Sequence, residues 1–199
     1  MKKFGMLCAL LAGALLAAQA QAQQPGQAYF GVGVGSVWTD GASPYSDTQD
    51  EDTAAGFKVY AGKMWSTLGM ELGLYGLGKY DVEFGGAKIA ESQTHALAIS
   101  GVYATPIAAG YTFHAKLGLA FTQFEIECVS SCGSGTPVLA DTKKRALSGL
   151  IGIGMGVQFT QDVAVRIDFE HFGNVHQAVS NFEYRDSYDM LSVSLQFSF

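Results

Sequence analysis

Charged residues and long hydrophobic runs are both scarce in this chain of 199 residues. Only 15% of the residues are charged, although 48% are hydrophobic, and the formal net charge is −6. An acidic chain lacks the positive surface that attracts phosphates, so we exclude nucleic acid as a partner. Beyond residue 18, no continuous apolar run approaches the roughly 20 residues that a membrane helix needs. If this chain crosses a membrane, it must cross as strands.

Cysteine is almost absent, and two of the three cysteines lie close together. Cys8 falls in the N-terminal segment, which leaves Cys128 and Cys132. In an exported protein this pair predicts a local disulfide across Cys-Val-Ser-Ser-Cys. The alternative is a metal site completed by Glu125 and Glu127, but no histidine is near and zinc sites usually take four ligands. We therefore expect no metal and no cofactor.

The N-terminus has the pattern of a secretory signal peptide. Two lysines precede an apolar run from Leu7 to Ala18, and a small-x-small cleavage site follows at 20–22. The run is too short to span about 30 Å of hydrocarbon. We predict that residues 1–22 are a cleaved signal peptide and that residues 23–199 form one mature domain.

The last ten residues alternate strictly between apolar and more polar side chains. Leu191, Val193, Leu195, Phe197 and Phe199 would share one face of a strand, because successive side chains point to opposite faces. A soluble sandwich shows the same pattern, but here the alternation recurs in seven earlier segments. The predicted strands are 29–38, 56–65, 68–78, 94–105, 111–124, 147–159, 163–171 and 190–199.

The connections between these segments alternate in length. Each segment is about as long as the 9–11 residues with which a tilted strand crosses a bilayer. Short connections at 65–68, 106–110 and 160–162 alternate with long polar ones at 39–55, 79–93, 125–146 and 172–188. Short periplasmic turns and longer extracellular loops are typical of outer-membrane barrels. We predict an all-β, eight-stranded, antiparallel, up-and-down transmembrane β-barrel in the outer membrane of a Gram-negative cell.

Aromatic residues near the strand ends predict the two membrane interfaces. Trp38, Trp65, Tyr103 and Tyr111 fall on the apolar face, where aromatic girdles belong.

The loops are less informative. The acidic first loop matches no calcium-loop motif. The fourth loop predicts a surface that contacts lipopolysaccharide, a host surface or another protein, and this prediction rests on exposed Phe172, Val175, Val179, Phe182 and Tyr184.

The polar face carries the candidate functional residues. They are Lys58, Glu71, Lys116, Arg166, Asp168 and Glu170, with His114 beside them. An eight-stranded barrel is only wide enough for side chains to fill it, so these charges must pair to offset their desolvation. We predict a lumen plugged by salt bridges. The alternative is a gated ion path that opens when the charges pair differently.

Several runs resemble the OmpA family of outer-membrane barrels and the wider group of OmpA-like and OmpX-like small barrels. Gly56 to Trp65 and Leu68 to Gly78 are similar to the family's second and third strands, and Ala164 to Glu170 resembles its seventh. The resemblance covers nearly the whole mature chain. It implies that Glu71 and Arg166 pair across the lumen. It also implies that the terminal Phe199 is a signal for the barrel-assembly machinery.

The predicted role is structural or surface-interactive, and the chain is expected to be a monomer. It would support envelope integrity, adhesion or host contact while bound to outer-membrane lipids and lipopolysaccharide; a low-conductance pore is the alternative. Some similar barrels modify lipid A, and the deacylases among them carry a His-x-Ser-Asn run. Here the corresponding run is His171-Phe172-Gly173-Asn174, with Gly173 at the position of the nucleophilic serine. Glycine has no nucleophilic side chain, so we predict no enzymatic activity.

Overall fold

The computed structural model describes residues 26–39, 53–84, 87–128, 142–179 and 182–199. These residues form a closed barrel of eight antiparallel strands, in which sequence neighbours pair and the last strand pairs with the first. The predicted fold class and strand order are confirmed. The strands are β1 Ala28–Thr39, β2 Thr53–Met64, β3 Leu68–Phe84, β4 Ala87–Ala108, β5 Tyr111–Cys128, β6 Thr142–Gln158, β7 Val163–Val179 and β8 Phe182–Ser198.

The barrel has its apolar side chains outside and its polar side chains inside. On β8, Leu191, Val193 and Leu195 are 44–51% exposed, whereas Ser192 and Ser194 between them are buried. In water this arrangement would be inverted, because apolar surface is stabilised by burial. It fits a barrel whose outer face meets lipid. No helix in the described part of the chain is long and apolar enough to cross a membrane.

The register fixes the tilt of the strands. Following paired residues once around the barrel from Trp38 leads back to β1 at Ala28, which gives a shear of 38 − 28 = 10 residues. Strands in small transmembrane barrels tilt by roughly 35–45° from the axis. A row of paired residues therefore climbs as it goes around the wall, and residues opposite one another on neighbouring strands differ slightly in depth.

The C-terminal residues close the barrel against β1. The Phe199 amide donates to the Ala28 carbonyl at 2.9 Å, and the Ala28 amide donates back to Phe199 at 3.2 Å. The Phe197 ring stacks on Phe30 with the ring centroids 5.1 Å apart, on the outer face. Among the described strands, the closure therefore leaves neither β1 nor β8 as a free edge of the sheet, which matters in hydrocarbon because lost backbone hydrogen bonds are costly there.

Short turns join β2 to β3, β4 to β5 and β6 to β7 at one end of the barrel, as predicted. Trp65 and Tyr103 are exposed on the outer face near these turns, and Tyr111 is half-buried there. Trp38 is half-buried at the opposite end of β1, beside Asp189 of β8. The four aromatic residues thus lie near the ends of their strands.

The predicted ends of the long connections were wrong. β3 and β4 continue until only residues 85 and 86 separate them, and only 180 and 181 separate β7 from β8. These strands stay paired beyond the end of their apolar alternation, since a ladder above the membrane can carry polar residues on both faces. Hydrophobic periodicity indicates only the part of a strand that contacts lipid, so the strands predicted from it were too short.

Phe172 also corrects the prediction of an exposed fourth loop. It lies within β7 and is fully buried, and its ring packs edge-on against Tyr75 with the centroids 5.0 Å apart. An additional inward position of β7 was mistaken for loop. The predicted signal peptide, most of the acidic first loop and Cys132 lie outside the described residues, so cleavage and the disulfide to Cys128 stay predictions.

Candidate functional site: the charge network inside the barrel

Strand β7 contributes three of the six charges in the buried network that the described residues form. Arg166, Asp168 and Glu170 are two residues apart, so all three point to the same face. Their pairing partners on β6 are Gly156, Gly154 and Gly152. A Cβ at Gly154 would collide with the side chains of His114 and Asp168. The glycines of β6 therefore make room for the charged side chains of β7.

Six buried ions form a closed cycle, which we call the ion ring, and each cation in it contacts two carboxylates. Its members are Lys58, Asp168, Arg166, Glu71, Lys116 and Glu170, in cyclic order. The ring contains equal numbers of cations and anions, and its members are drawn from β2, β3, β5 and β7. It therefore ties opposite walls of the barrel together.

The six contacts of the ion ring are short. The Lys58 ammonium lies 2.6 Å from Asp168 and 2.9 Å from Glu170. The Lys116 ammonium lies 2.7 Å from both Glu170 and Glu71. Arg166 closes the cycle, with its guanidinium 3.1 Å from Glu71 and 3.2 Å from Asp168. All six side chains are buried, so each contact compensates for lost hydration.

The ring of Tyr60 lies among the three cations. Its centroid is 4.8 Å from the guanidinium carbon of Arg166, 5.4 Å from the Lys58 nitrogen and 5.6 Å from the Lys116 nitrogen. These separations are within the range of cation–π attraction. The Tyr60 hydroxyl lies 3.2 Å from the hydroxyl of Ser194 on β8. Tyr60 thus fills the space between the charges without adding a charge.

Neutral side chains satisfy much of the remaining hydrogen-bonding capacity of the ion ring. The Tyr29 hydroxyl donates to Glu71 at 3.0 Å, and the Tyr75 hydroxyl donates to Glu170 at 2.9 Å. Arg166 donates to the amide oxygen of Gln196 at 3.0 Å. His114 hydrogen-bonds to Asp168. The ion ring is therefore embedded in a wider polar network, which stabilises buried charge.

An apolar cluster fills the barrel interior on the side of the ion ring away from the short turns. Its large members are fully or almost fully buried, and they come from strands all around the wall. Phe172 and Leu150 form the last pair of the ladder between β6 and β7. Water is disfavoured in this layer, because the layer offers it few hydrogen-bond partners. The members are Val37, Tyr75, Leu77, Ala96, Ala98, Ala120, Leu150, Phe172, Tyr188 and Met190.

A small cavity with a mixed polar and apolar lining lies at the end of the barrel with the short turns. Its volume is about 40 Å³, and Arg166, His114, Thr112 and Gln196 are among the residues that line it. The Nε atom of Arg166 is buried and has no hydrogen-bond partner among the described residues. A cavity of this size has room for roughly two or three water molecules. The ion ring therefore borders an open space at this end of the barrel.

The sequence pointed to the six ions and His114 but missed their aromatic partners. Tyr29, Tyr60 and Tyr75 share the inward parity of the charges, and this alternation was the available signal. Periodicity could not indicate which ions touch. Among the described residues, no group of His, Cys, Asp and Glu could hold a metal ion.

Two further polar residues face outward near the end of the barrel opposite the short turns. The Nδ1 atom of His171 lies 2.7 Å from Asp189 Oδ1, and the side chains are 43% and 24% exposed. Gly173 lies beside Gly149 on the same outer surface. It occupies the position at which a lipid A deacylase would carry its nucleophilic serine. This pair is separate from the ion ring.

Comparison with known proteins agrees with this architecture. The family model described as OmpA-like transmembrane domain matches residues 23–199. None of the curated proteins matches the sequence at a significant level.

Three crystal structures of outer-membrane or surface proteins share the fold. OprG of Pseudomonas aeruginosa has a TM-score of 0.67 at 12% identity and covers 91% of this chain and 99% of its own. Neisserial surface protein A has a TM-score of 0.64 at 12% identity, covering 87% and 99%. Ail of Yersinia pestis, in complex with the heparin analogue sucrose octasulfate, has a TM-score of 0.58 at 10% identity, covering 88% and 100%. At such low identity, these similarities establish the fold alone.

Proposed function

Because this chain belongs to the family of OmpA-like transmembrane domains, we propose that it is a sealed outer-membrane barrel with a structural and surface-interaction role. The observation that carries the proposal is the presence of two barriers in series inside the barrel. The ion ring is one, and the apolar cluster is the other. An ion crossing the lumen would have to displace both. The surfaces that remain available are the lipid-facing wall and the strands and loops above it.

The ion ring supports a closed state because no single ion can move alone. Turning Arg166 aside would leave Glu71 and Asp168 each with one cation fewer in a buried site. Uncompensated buried charge costs roughly 3–5 kcal/mol. A spontaneous opening of this size would be rare, at about one part in a hundred to one in several thousand.

Planar-bilayer recording tests the sealed state. We expect the purified, refolded protein to give no single-channel events, and we expect the same of Phe172→Leu, which preserves apolar bulk in the cluster. Regular channel events from the wild-type protein, altered in size by Glu71→Ala or Arg166→Ala, would refute the sealed barrel.

Those events would support the second candidate, a low-conductance gated pore. This candidate is favoured by the cavity beside Arg166 and by the unpartnered Nε of that residue. Hydration on one side of a charge network is the starting point for a thin water path. The same recordings therefore decide between a plug and a gate.

The surface role is proposed for the extracellular connections. Replacing residues 129–141 with a short Gly-Ser linker should lower attachment of cells to a host or abiotic surface. The barrel itself should stay folded, which is checked by the mobility difference between unheated and heated samples on SDS gels. Unchanged attachment with a folded barrel would remove this loop from the proposal.

Charge indicates the class of surface partner. The sequence is acidic overall, with a formal net charge of −6, and its first loop carries Asp40, Asp47, Asp50, Glu51 and Asp52. Like charges in contact are unfavourable. We therefore expect a neutral or cationic partner, in contrast to the polyanionic heparin analogue that Ail binds.

The proposed function includes no catalytic step. Release of acyl chains from lipid A that is lost in His171→Ala would contradict it.

A further inference from the structure

The cavity at the end of the barrel with the short turns has a basic lining. Among the described residues that line it, Arg166 and His114 are basic and none is acidic. The carboxylates that contact these two residues belong to Asp168 and Glu71, which are part of the ion ring and do not line the cavity. The cavity therefore presents positive charge and hydrogen-bond donors without a carboxylate of its own.

Arg166 has one hydrogen-bond donor left over at this cavity. Its two terminal nitrogens donate to Glu71, Gln196 and Asp168. Its Nε atom is buried and has no hydrogen-bond partner among the described residues, and a buried donor without an acceptor is costly. The Cγ atom of Arg166 lies against Gly156 in the cavity wall, 3.6 Å from the position of a Cβ there. Because Nε is only two bonds from Cγ, we assign this donor to the cavity.

His114 provides the second basic group. Its Nε2 atom hydrogen-bonds to the carboxylate of Asp168, which also contacts the cations of Lys58 and Arg166 and is therefore ionised. An ionised carboxylate only accepts hydrogen bonds, so Nε2 carries the hydrogen and Nδ1 is the site for a further proton. A proton at Nδ1 turns His114 into a cation. Since the ion ring is charge-balanced, the interior then has one positive charge in excess.

The groups packed around His114 do not balance this extra charge. From β7 it faces Asp168, which two cations of the ion ring already contact, and Arg166, which is itself a cation. Lys116 lies two residues along on the same face of β5. The residues that other strands place beside His114 or around the cavity are uncharged and include Tyr29, Ala104, Gly154 and Gln196. An uncompensated buried charge is unfavourable, so a proton on His114 calls for an anion from the solvent.

We propose that the cavity binds one small monovalent anion, such as chloride, together with a proton on His114. The cavity volume of about 40 Å³ exceeds the roughly 10–15 Å³ that one water molecule needs, and a halide ion is only somewhat larger than water. The anion accepts hydrogen bonds from Arg166 Nε and from the protonated imidazole, and the hydroxyl of Thr112 in the lining is a third donor. Uptake of both ions leaves the net charge of the interior unchanged.

This inference goes beyond the sealed-barrel role and does not depend on it. The site lies on one side of the ion ring, so the anion enters and leaves at the end with the short turns and crosses neither barrier. Channel recordings report on the sealed barrel, whereas the measurements below report on the cavity. The two proposals can therefore fail separately.

Urea unfolding in two salts tests the site. The full mature protein is refolded in phosphatidylcholine vesicles, and sodium chloride is compared at equal ionic strength with sodium gluconate, whose anion is too large for the cavity. At about pH 5 we expect about 100 mM chloride to lower the unfolding equilibrium constant about tenfold relative to gluconate, which corresponds to a dissociation constant of about 10 mM. At about pH 8, where an imidazole is uncharged, the two salts should give the same constant.

Proton uptake gives a second readout that needs no unfolding. Adding chloride to the weakly buffered, folded protein at about pH 6 should raise the pH of the solution, with an uptake of up to one proton per barrel, because anion and proton bind together. Gluconate should cause no uptake.

Two variants remove the site in different ways. His114→Gln removes the proton-binding group but keeps a donor for Asp168, and Gly156→Val fills the cavity. The first carbon at position 156 is accommodated, because the nearest atoms are Arg166 Cγ at 3.6 Å and Thr112 Cβ at 3.9 Å. Each variant should abolish both the chloride effect and the proton uptake. Gel mobility confirms folding, and Gly156→Ala replaces the valine variant if that does not fold.

His171→Gln is the matched control. His171 also contacts a carboxylate, with its Nδ1 atom 2.7 Å from Asp189, but it is partly exposed on the outer surface and does not line the cavity. This variant should keep both effects. Equal unfolding constants in chloride and gluconate at both pH values would mean that the cavity holds water only, and would overturn the proposal. A chloride effect of full size at about pH 8, or in His114→Gln, would overturn the coupling of the anion to the proton.

Discussion

Removing the Lys116 ammonium tests whether the six ions act as one connected ring. In Lys116→Met the chain keeps a side chain of similar length but loses the ammonium that lies 2.7 Å from both Glu71 and Glu170. The interior is then left with one more carboxylate than cations. Glu71 retains only Arg166 as an ionic partner, and Glu170 retains only Lys58.

The expected cost follows from the burial of these groups. Lys116 and its partners are nearly inaccessible to water, so the carboxylates cannot recover the lost interaction by hydration. Breaking a buried pair by removing one partner costs about 3–5 kcal/mol. The unfolding equilibrium of Lys116→Met should therefore shift by roughly a hundredfold to several thousandfold. Glu71→Gln should cost a similar amount.

The double variant distinguishes a connected ring from separate charges. Glu71→Gln with Lys116→Met restores charge balance and leaves the chain Glu170–Lys58–Asp168–Arg166 intact. We expect it to cost no more than either single variant, which gives a coupling energy of at least about 3 kcal/mol. Glu71→Gln with Lys58→Met is the matched control, because these two ions share no contact in the ring. Charge balance is restored there too, but more contacts are lost, so the coupling should be smaller.

Reversible urea unfolding in lipid vesicles provides the measurement. The fluorescence of Trp38 and Trp65 reports the transition, since both lie near the ends of membrane-spanning strands. Additive costs in the adjacent double variant would refute the ring. Equal coupling in the adjacent and non-adjacent doubles would show that net charge alone matters.

Three other predictions concern packing and covalent structure. Gly31→Ala should destabilise the barrel by about 1–3 kcal/mol, because a methyl there collides with the Tyr60 ring; urea unfolding measures the loss. Phe172→Ala should cost about 3–5 kcal/mol by leaving a cavity in the apolar cluster, measured in the same way. Intact-mass measurement of the mature protein should show the loss of two hydrogens, because Cys128 and Cys132 are expected to form a disulfide.

Each of these predictions has a control. Gly101→Ala adds the same methyl where no atom lies closer than 3.8 Å, so its effect should stay within about 0.5 kcal/mol. Equal losses for the two glycine variants would contradict the collision with Tyr60. Phe172→Leu should cost clearly less than the alanine variant if the residue fills apolar space. A mass that does not change on reduction would show that the two thiols are free.

The fold was predictable because alternation is a local property. Along β8 apolar and polar residues alternate. Lipid outside and a polar lumen inside impose the same alternation on every strand. The strand ends were harder to predict because β3, β4, β7 and β8 continue above the lipid, where the constraint no longer acts. Phe172 was misread for that reason. It lies where outward alternation has faded, yet its own side chain points inward.

The sequence alone separates the side chains inside the barrel from those that meet lipid, because the two-residue period of a strand assigns every residue to a face. It therefore identified Lys58, Glu71, Lys116, Arg166, Asp168 and Glu170 as interior charges. The contacts in which each cation bridges two carboxylates around Tyr60 could not be predicted in this way, because they depend on strand register and on the shear of the closed barrel. The same is true of the polar pair on the outer surface. His171 and Asp189 are far apart in sequence, and they meet only because β7 and β8 pair in this register.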